Sequence, residues 1–450
     1  MSDPADLGVG EAGASLRRRE LSSLELVDAC LARIRERDGA QSHEGDPASV
    51  NAWVRVYEED ARAAAVLADA RLAAGDASPL CGIPIGLKDL YAVAGKPLTA
   101  SSRVLDDVPE RSCDAWARLE AAGMVLLGHL HTHEFAAGGT TDQVGNPWDL
   151  SCSAGGSSGG SAAALAARMM PAATGTDTAG SLRIPSAICG TSTLKPTRGA
   201  LPLRGIVPLG TTFDHPGPMT RTLDDCEPLL AALAGSEPPA QRAPVRRVVV
   251  SPRLGLVDLD PDVADGFDVA LDALRGLGVE LVDAPPPDVP LDLGLTLLDL
   301  VCAEMLASHR RFDDRRALYR PSIRGFLEYA EERALTAEEY AAAQIRRTED
   351  AARWLDWFAA NRIDAVVEPT VPIVAHARGT GYDAPFTDVA EISLTHYWDW
   401  TGFPVAALPS GVGRRSGLPV GVSLVGPSGS GWDMLAAGIA LQAELDTVTL

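Results

Sequence analysis

Two Gly/Ser-rich loops, separated by a short apolar run, constrain this chain more than any other feature. Residues 155–161 read Gly-Gly-Ser-Ser-Gly-Gly-Ser, an Ala-rich run comes next, and residues 175–183 read Gly-Thr-Asp-Thr-Ala-Gly-Ser-Leu-Arg. Glycine serves where the backbone needs special dihedrals or a close approach. Serine serves where a hydroxyl is wanted. A flexible linker would account for the first loop, but not for the helix-forming run directly behind it or for the second loop. Two such loops flanking a short buried helix bring their serines near one another, which is how a hydroxyl nucleophile would acquire a hydroxyl helper.

A serine is a poor nucleophile without a base. The stretch 80–90, Leu-Cys-Gly-Ile-Pro-Ile-Gly-Leu-Lys-Asp-Leu, is an apolar strand carrying one lysine, Lys88, beside Ile85, Leu87 and Leu90. Such a lysine either snorkels from an edge or is buried. Burial disfavours the charged form, so a buried amine can be neutral near pH 7 and accept a proton. The backbone N–H groups of Thr178, Ala179, Gly180 and Ser181 form a turn that could converge on one oxyanion.

Other readings compete. Residues 155–159 also fit G-x-S-x-G, a nucleophile elbow, with His376 or His396 downstream as partners. An elbow follows a buried strand, whereas residues 147–154 read as a loop. A phosphate-binding loop fails because no Gly-Lys-Ser/Thr follows. His129, His131 and His133 alternate and could share one strand face as metal ligands. No fourth ligand stands nearby at a clear spacing, and the segment leads into a loop, so local hydrogen bonding is the preferred reading and no metal is expected.

Lys and Arg total 39 against 61 Asp and Glu, a net charge of −22. Such a surface repels nucleic acid and anionic membrane. No apolar run is long enough to span a bilayer, and the N-terminus has no signal-peptide pattern, so the cytoplasm is the expected compartment. Seven scattered cysteines without C-x-x-C predict free thiols. Strand and helix patterns alternate along the whole length, predicting one large α/β domain whose mixed sheet carries helices on both faces. Ser22 and Glu25 form a capping box opening a helix. Residues 245–282 read as a βαβ unit, 291–358 as helical, and 201–219 as a long ordered loop.

The stretch 155–196 strongly resembles the signature of the amidase signature family of serine hydrolases. The likeness extends to Asn51-Ala-Trp-Val, Gly82-Ile-Pro-Ile-Gly-Leu-Lys-Asp-Leu, Asn146-Pro-Trp-Asp, Leu194-Lys-Pro-Thr-Arg-Gly, Asp214-His-Pro-Gly-Pro-Met, Thr401-Gly-Phe-Pro and residues 417–426, in family order. Only 291–358 lacks landmarks. The resemblance implies a Ser–cis-Ser–Lys triad: Lys88 as base, Ser157 as the cis serine that relays the proton, and Ser181 as nucleophile. It also implies an amidase domain over 1–450, with N-terminal helices in 1–75, a catalytic core in 76–235, the second part of the sheet in 236–450, and a variable helical segment at about 291–358.

The activity that the resemblance implies is that of an amidohydrolase without a cofactor, cleaving a C–N bond in a small amide, carbamate or urea-like substrate with water. An acyl-enzyme would form on Ser181, with esters as side substrates. The pocket is expected to be lined by Ala136, Gly138 and Gly139 and by helices of 291–358. One departure stands out: the usual Gly-Gly-Ser is Ala179-Gly180-Ser181 here, similar to some carbamoyl-group hydrolases of the family such as allophanate hydrolases. The alternatives are a glutaminase-type subunit of a tRNA-dependent amidotransferase and a non-catalytic interaction protein. A homodimer is left open.

Overall fold

The computed structural model describes residues 3–75, 78–379, 381–385 and 389–445. Thirteen strands are present among them: β1 Trp53–Val56, β2 Pro84–Lys88, β3 Val125–Leu130, β4 Gly145–Asn146, β5 Asp149–Ser153, β6 Ala172–Asp177, β7 Ser192–Lys195, β8 His215–Thr220, β9 Arg247–Val250, β10 Glu280–Val282, β11 Ala365–Pro369, β12 Val405–Val412 and β13 Pro419–Val425. Eleven join one sheet in the order β1-β3-β2-β6-β8-β7-β12-β13-β11-β9-β10, and β4 pairs only with β5. The sheet is mixed. β3, β2 and β6 run parallel to one another, as do β11, β9 and β10. Between these patches, β6, β8, β7, β12 and β13 are antiparallel neighbours. Helices cover both faces of this one large α/β domain, as the alternating pattern predicts.

Local chemistry explains the element ends. The Ser22 hydroxyl accepts from Glu25 N–H at 3.2 Å while Glu25 Oε2 accepts from Ser22 N–H at 2.8 Å, a reciprocal cap on helix Ser23–Arg37. Asp260 caps Pro261–Gly276, the crossover helix between the parallel strands β9 and β10. The stretch 291–358 holds helices Thr296–His309 and Pro321–Arg333 and most of Ala337–Asn361, with a 3₁₀ segment over Arg310–Leu318.

Two expectations need correction. Residues 201–219 are not all loop, because His215–Thr220 is β8, buried at every position in the middle of the sheet. Pro216 and Pro218 lack the ladder donor that a central strand normally needs. Pro218 turns its carbonyl to Thr193 Oγ1 of β7, 2.7 Å away. A strand residue's N–H and C=O point to the same neighbour, so the missing donors face β7, where pairing covers only Met219 and Thr220. The β6 side keeps its ladder. The segment 147–154 is not loop throughout either: Asp149–Ser153 is β5, half of a two-stranded ribbon whose outer face is exposed.

Candidate active site

The site forms where parallel strands end. β2 pairs with β6 through Ile85–Ala172 and Gly86–Ala173, so Lys88, Thr176, Asp177 and the turn after Asp177 gather at one edge, the C-terminal edge where open α/β sheets place their ligands. The first Gly/Ser loop leads into helix Gly159–Ala166. Its Gly156–Ser157 peptide is cis. The Ser157 carbonyl accepts from His133 N–H at 3.0 Å and from the Thr141 hydroxyl at 3.3 Å. A Cβ at Gly156 would lie 2.1 Å from the Thr140 carbonyl oxygen, so only glycine fits there.

Lys88 is completely buried. Its Nζ lies 2.7 Å from Ser157 Oγ, 2.9 Å from Ser158 Oγ and 2.9 Å from Thr176 Oγ1. Burial pulls its pKa down from 10.5 to about 7, against the opposing charges of Asp177 and Asp214. Among the described residues no carboxylate bonds to the amine directly, so desolvation prevails. A neutral amine has two N–H bonds and one lone pair. Three hydroxyl neighbours match two donations and one acceptance, which leaves the amine able to take a proton from a serine.

Ser181, 6% exposed, opens onto a cavity. Its turn is held from beneath by Asp177, which accepts from Gly180 N–H at 2.6 Å and Leu182 N–H at 3.2 Å. Arg183 bridges this carboxylate, at 2.9 Å, to Asp399, at 2.6 Å. Burial works against the guanidinium charge, but Asp177 and Asp399 more than offset it and raise its pKa. On the other flank the Thr178 hydroxyl donates to Asp214 at 2.6 Å. Asp214 also takes Leu209 N–H at 3.0 Å and Gly210 N–H at 3.2 Å, and burial pushes its pKa up to about 7. Thr395 Oγ1 donates to the Ala179 carbonyl at 2.5 Å.

The four expected oxyanion donors are therefore not equivalent. The Gly180 N–H is already bonded to Asp177, so it is removed from the set. Thr178, Ala179 and Ser181 N–H groups have no acceptor among the described residues. Gly180 has φ +136°, and a Cβ there would sit 2.2 Å from Thr395 Oγ1, which explains why this residue of the turn is glycine.

The cavity above Ser181 measures about 610 Å³ with the open solvent at its mouth included. Ala136, Gly138 and Gly139 line it beside Thr178 and Ala179, at the positions expected. Leu297, Val301, Cys302 and Met305 face it from helix Thr296–His309, and Phe326 from the next helix, so the helical segment does contribute the far wall. None of the described residues that line it is charged.

The alternative motifs lie elsewhere. The Ser157 hydroxyl is paired with Lys88 Nζ, not with a histidine ring. His376 lies 3.0 Å from Glu391, and His396 bonds the Ile392 carbonyl at 2.6 Å. The three alternating histidines bond separately, His129 to Tyr57 Oη at 2.8 Å, His131 to Ser101 Oγ at 3.1 Å and His133 to the Thr140 carbonyl at 3.0 Å. β3 runs to Leu130, so His129 sits in the strand and His131 and His133 lie beyond its end. Sequence reasoning missed Ser158, Thr176, Asp177, Asp214 and Asp399. Ser158 stood in the same glycine loop and Asp214 opened a family landmark; Asp399 carried no signal.

Comparison with known proteins shows the family. The Amidase family model matches residues 41–434. A glutamyl-tRNA(Gln) amidotransferase subunit of Roseiflexus sp. (strain RS-1) is 35% identical, covering 98% of this chain and 96% of the relative. An amidase of Pseudomonas putida is 35% identical over 93% and 94% of the two chains. A crystal structure of an amidase superposes with a TM-score of 0.86 at 31% identity, covering 98% of this chain and all of the other. The chain belongs to the Amidase family, the amidase signature enzymes.

Proposed function

We propose that the protein is a serine amidohydrolase that cleaves a C–N bond in a small, uncharged, largely apolar amide or carbamate. The observation that carries this reading is the buried Lys88 amine among three hydroxyls, with a pKa near 7 and no bonded carboxylate. In the proposed reaction Ser181 Oγ attacks the carbonyl carbon. Its proton passes to Ser157 Oγ, and the Ser157 proton passes to Lys88 Nζ. The carbonyl π pair moves onto oxygen, which the N–H groups of Thr178, Ala179 and Ser181 stabilise. As the tetrahedral species collapses the C–N bond breaks, and the leaving nitrogen takes a proton back along the same relay. Water then attacks the acyl-enzyme with the relay again as base, and Ser181 leaves. Esters share the acylation step and are expected as side substrates.

The relatives named as amidotransferase subunits raise a second reading, release of ammonia from glutamine. The cavity tells against it. Free glutamine carries an α-ammonium and an α-carboxylate, and no lining side chain among the described residues is charged. Leaving such groups unpaired in an apolar site costs several kcal/mol. A non-catalytic role is disfavoured by the complete Lys88, Ser157 and Ser181 set. The Ala179 methyl narrows the cavity next to the oxyanion turn, which favours planar acyl groups such as carbamoyl.

The test is a panel of aryl amides, aliphatic amides, carbamates, ureas and glutamine with the isolated protein. An apolar amide or carbamate should exceed glutamine in kcat/KM by at least about 100-fold, corresponding to a few kcal/mol of unpaired charge. Glutamine as the best substrate would overturn the reading.

A further inference from the structure

A second cavity, open to the surface and about 480 Å³ with that open solvent included, is lined by Phe135, Val207, Pro208, Ser308, His309 and Phe312, with the exposed Arg311 at its rim. The catalytic cavity uses Ala136, Leu209, Cys302 and Met305 from the same three stretches of chain. Residue 135 faces one space and residue 136 the other. Residues 207 and 208 face one and 209 the other. Along helix Thr296–His309, Cys302 and Met305 face the first cavity, and Ser308 and His309, one turn on, face the second. The two cavities therefore draw on the same three stretches of chain, with Phe135 lining the second and its neighbour Ala136 the first.

The backbone at that junction is unusual. Phe135 has φ 50° and ψ 26°, and Ala136 has φ 63°. A bulky residue in the left-handed region is a true outlier, and strain of this kind persists only where the surroundings fix it, often at ligand clamps. Here the surroundings are specific. Phe135 N–H donates to the Ala100 carbonyl at 3.0 Å. Its ring, 1% exposed, packs against His309 at 4.4 Å, Tyr319 at 5.8 Å and Phe312 at 5.9 Å between centroids. His309 is itself fixed by a 2.7 Å bond to Tyr319 Oη. Of these two successive left-handed residues, Phe135 lines the second cavity and Ala136 the catalytic one.

We infer that Phe135 is the wall that sets the length of the apolar group this enzyme accepts, and that the second cavity is a latent extension of the substrate site for a longer alkyl or aryl chain. This rests on the hydrolase reading of Ser181. Apart from Thr178 and Ser181 the described lining of the catalytic cavity is apolar, so a chain running from Ser181 toward Met305 stays in favourable surroundings. Removing the ring joins the two spaces and buries further methylenes.

The test is the rate at which Ser181 is labelled by a series of n-alkyl fluorophosphonates, methyl to dodecyl, with hydrolysis of the matching n-acyl anilides measured alongside. In the wild type the rate should climb with chain length and then fall at a limit. In Phe135→Ala the limit should move outward, with roughly a fourfold gain per methylene newly buried. Adding Ser308→Trp, which fills the second cavity, should move it back. Phe135→Leu, which keeps most of the volume should Phe135→Ala fail to fold, should move the limit by a smaller step. Labelling of the wild type with no fluorophosphonate at all would bring down the hydrolase reading and this inference with it. Normal labelling with an unchanged length profile in the variants would overturn the role of Phe135 alone.

Discussion

Lys88→Met keeps the buried volume and removes the amine, so it isolates the charge state on which the chemistry depends. The unfolded chain holds this amine at its ordinary 10.5, and the fold pulls it down to about 7. Between those values the unfolded state carries a proton that the folded state has lost, so stability rises with pH across the window. The penalty is full below about pH 7 and is relieved as pH climbs toward 10.5. Its whole size is about 5 kcal/mol, at 1.36 kcal/mol per unit. Lys195 is also fully buried and pulled down to about 7 by burial, so the wild type has a second source of the same slope. The quantity to measure is therefore the difference between wild type and variant. Urea unfolding followed by tryptophan fluorescence at about pH 8 and about pH 9.5 should show the wild type gaining about 2 kcal/mol relative to Lys88→Met. Wild-type kcat/KM should rise as pH passes through about 7, and the variant should lose about 100- to 10,000-fold. A stability difference independent of pH would mean that Lys88 stays charged in the fold, which would refute the base assignment.

Two further substitutions probe the turn. Arg183→Met leaves the buried carboxylates of Asp177 and Asp399 without their shared partner. It should cost about 3–5 kcal/mol in urea unfolding, and an unchanged midpoint would show that the bridge does not hold the nucleophile loop. Gly180→Ala places a methyl 2.2 Å from Thr395 Oγ1 at φ +136°. Distorting the oxyanion turn should lower kcat by about 100- to 1000-fold, and wild-type kcat would show that the turn is not where the oxyanion binds.

The sequence exposed the proposed triad more fully than its supports. Lys88, Ser157 and Ser181 lie in short motifs whose residue types are dictated by chemistry, and glycines mark where the backbone must come close, as at Gly156 against Thr140. The cavity was legible in outline, since the Ala136–Gly139 loop and the 291–358 helices do line it. The supports were not legible, because their roles depend on distant contacts. Asp399 reaches Arg183 across 216 positions, and nothing near it in sequence signals that role. Asp214 reaches Thr178 only because β8 lies beside β6. β8 itself was hidden by Pro216 and Pro218, which local preference reads as loop. Only the short β7–β8 ladder makes prolines harmless there. The commitment of Gly180 N–H to Asp177 was equally invisible, since a motif does not reveal which of four successive N–H groups is already bonded.

The mechanism stands or falls on Ser181, and not Ser157, forming the covalent bond. The direct measurement is the site of adduct formation by a fluorophosphonate, mapped by peptide mass spectrometry in wild type, Ser157→Ala and Ser181→Ala, with hydrolysis followed in parallel. One adduct on Ser181 is expected in the wild type, slow labelling at the same residue in Ser157→Ala, and neither adduct nor turnover in Ser181→Ala. An adduct on Ser157, or turnover surviving in Ser181→Ala, would contradict it.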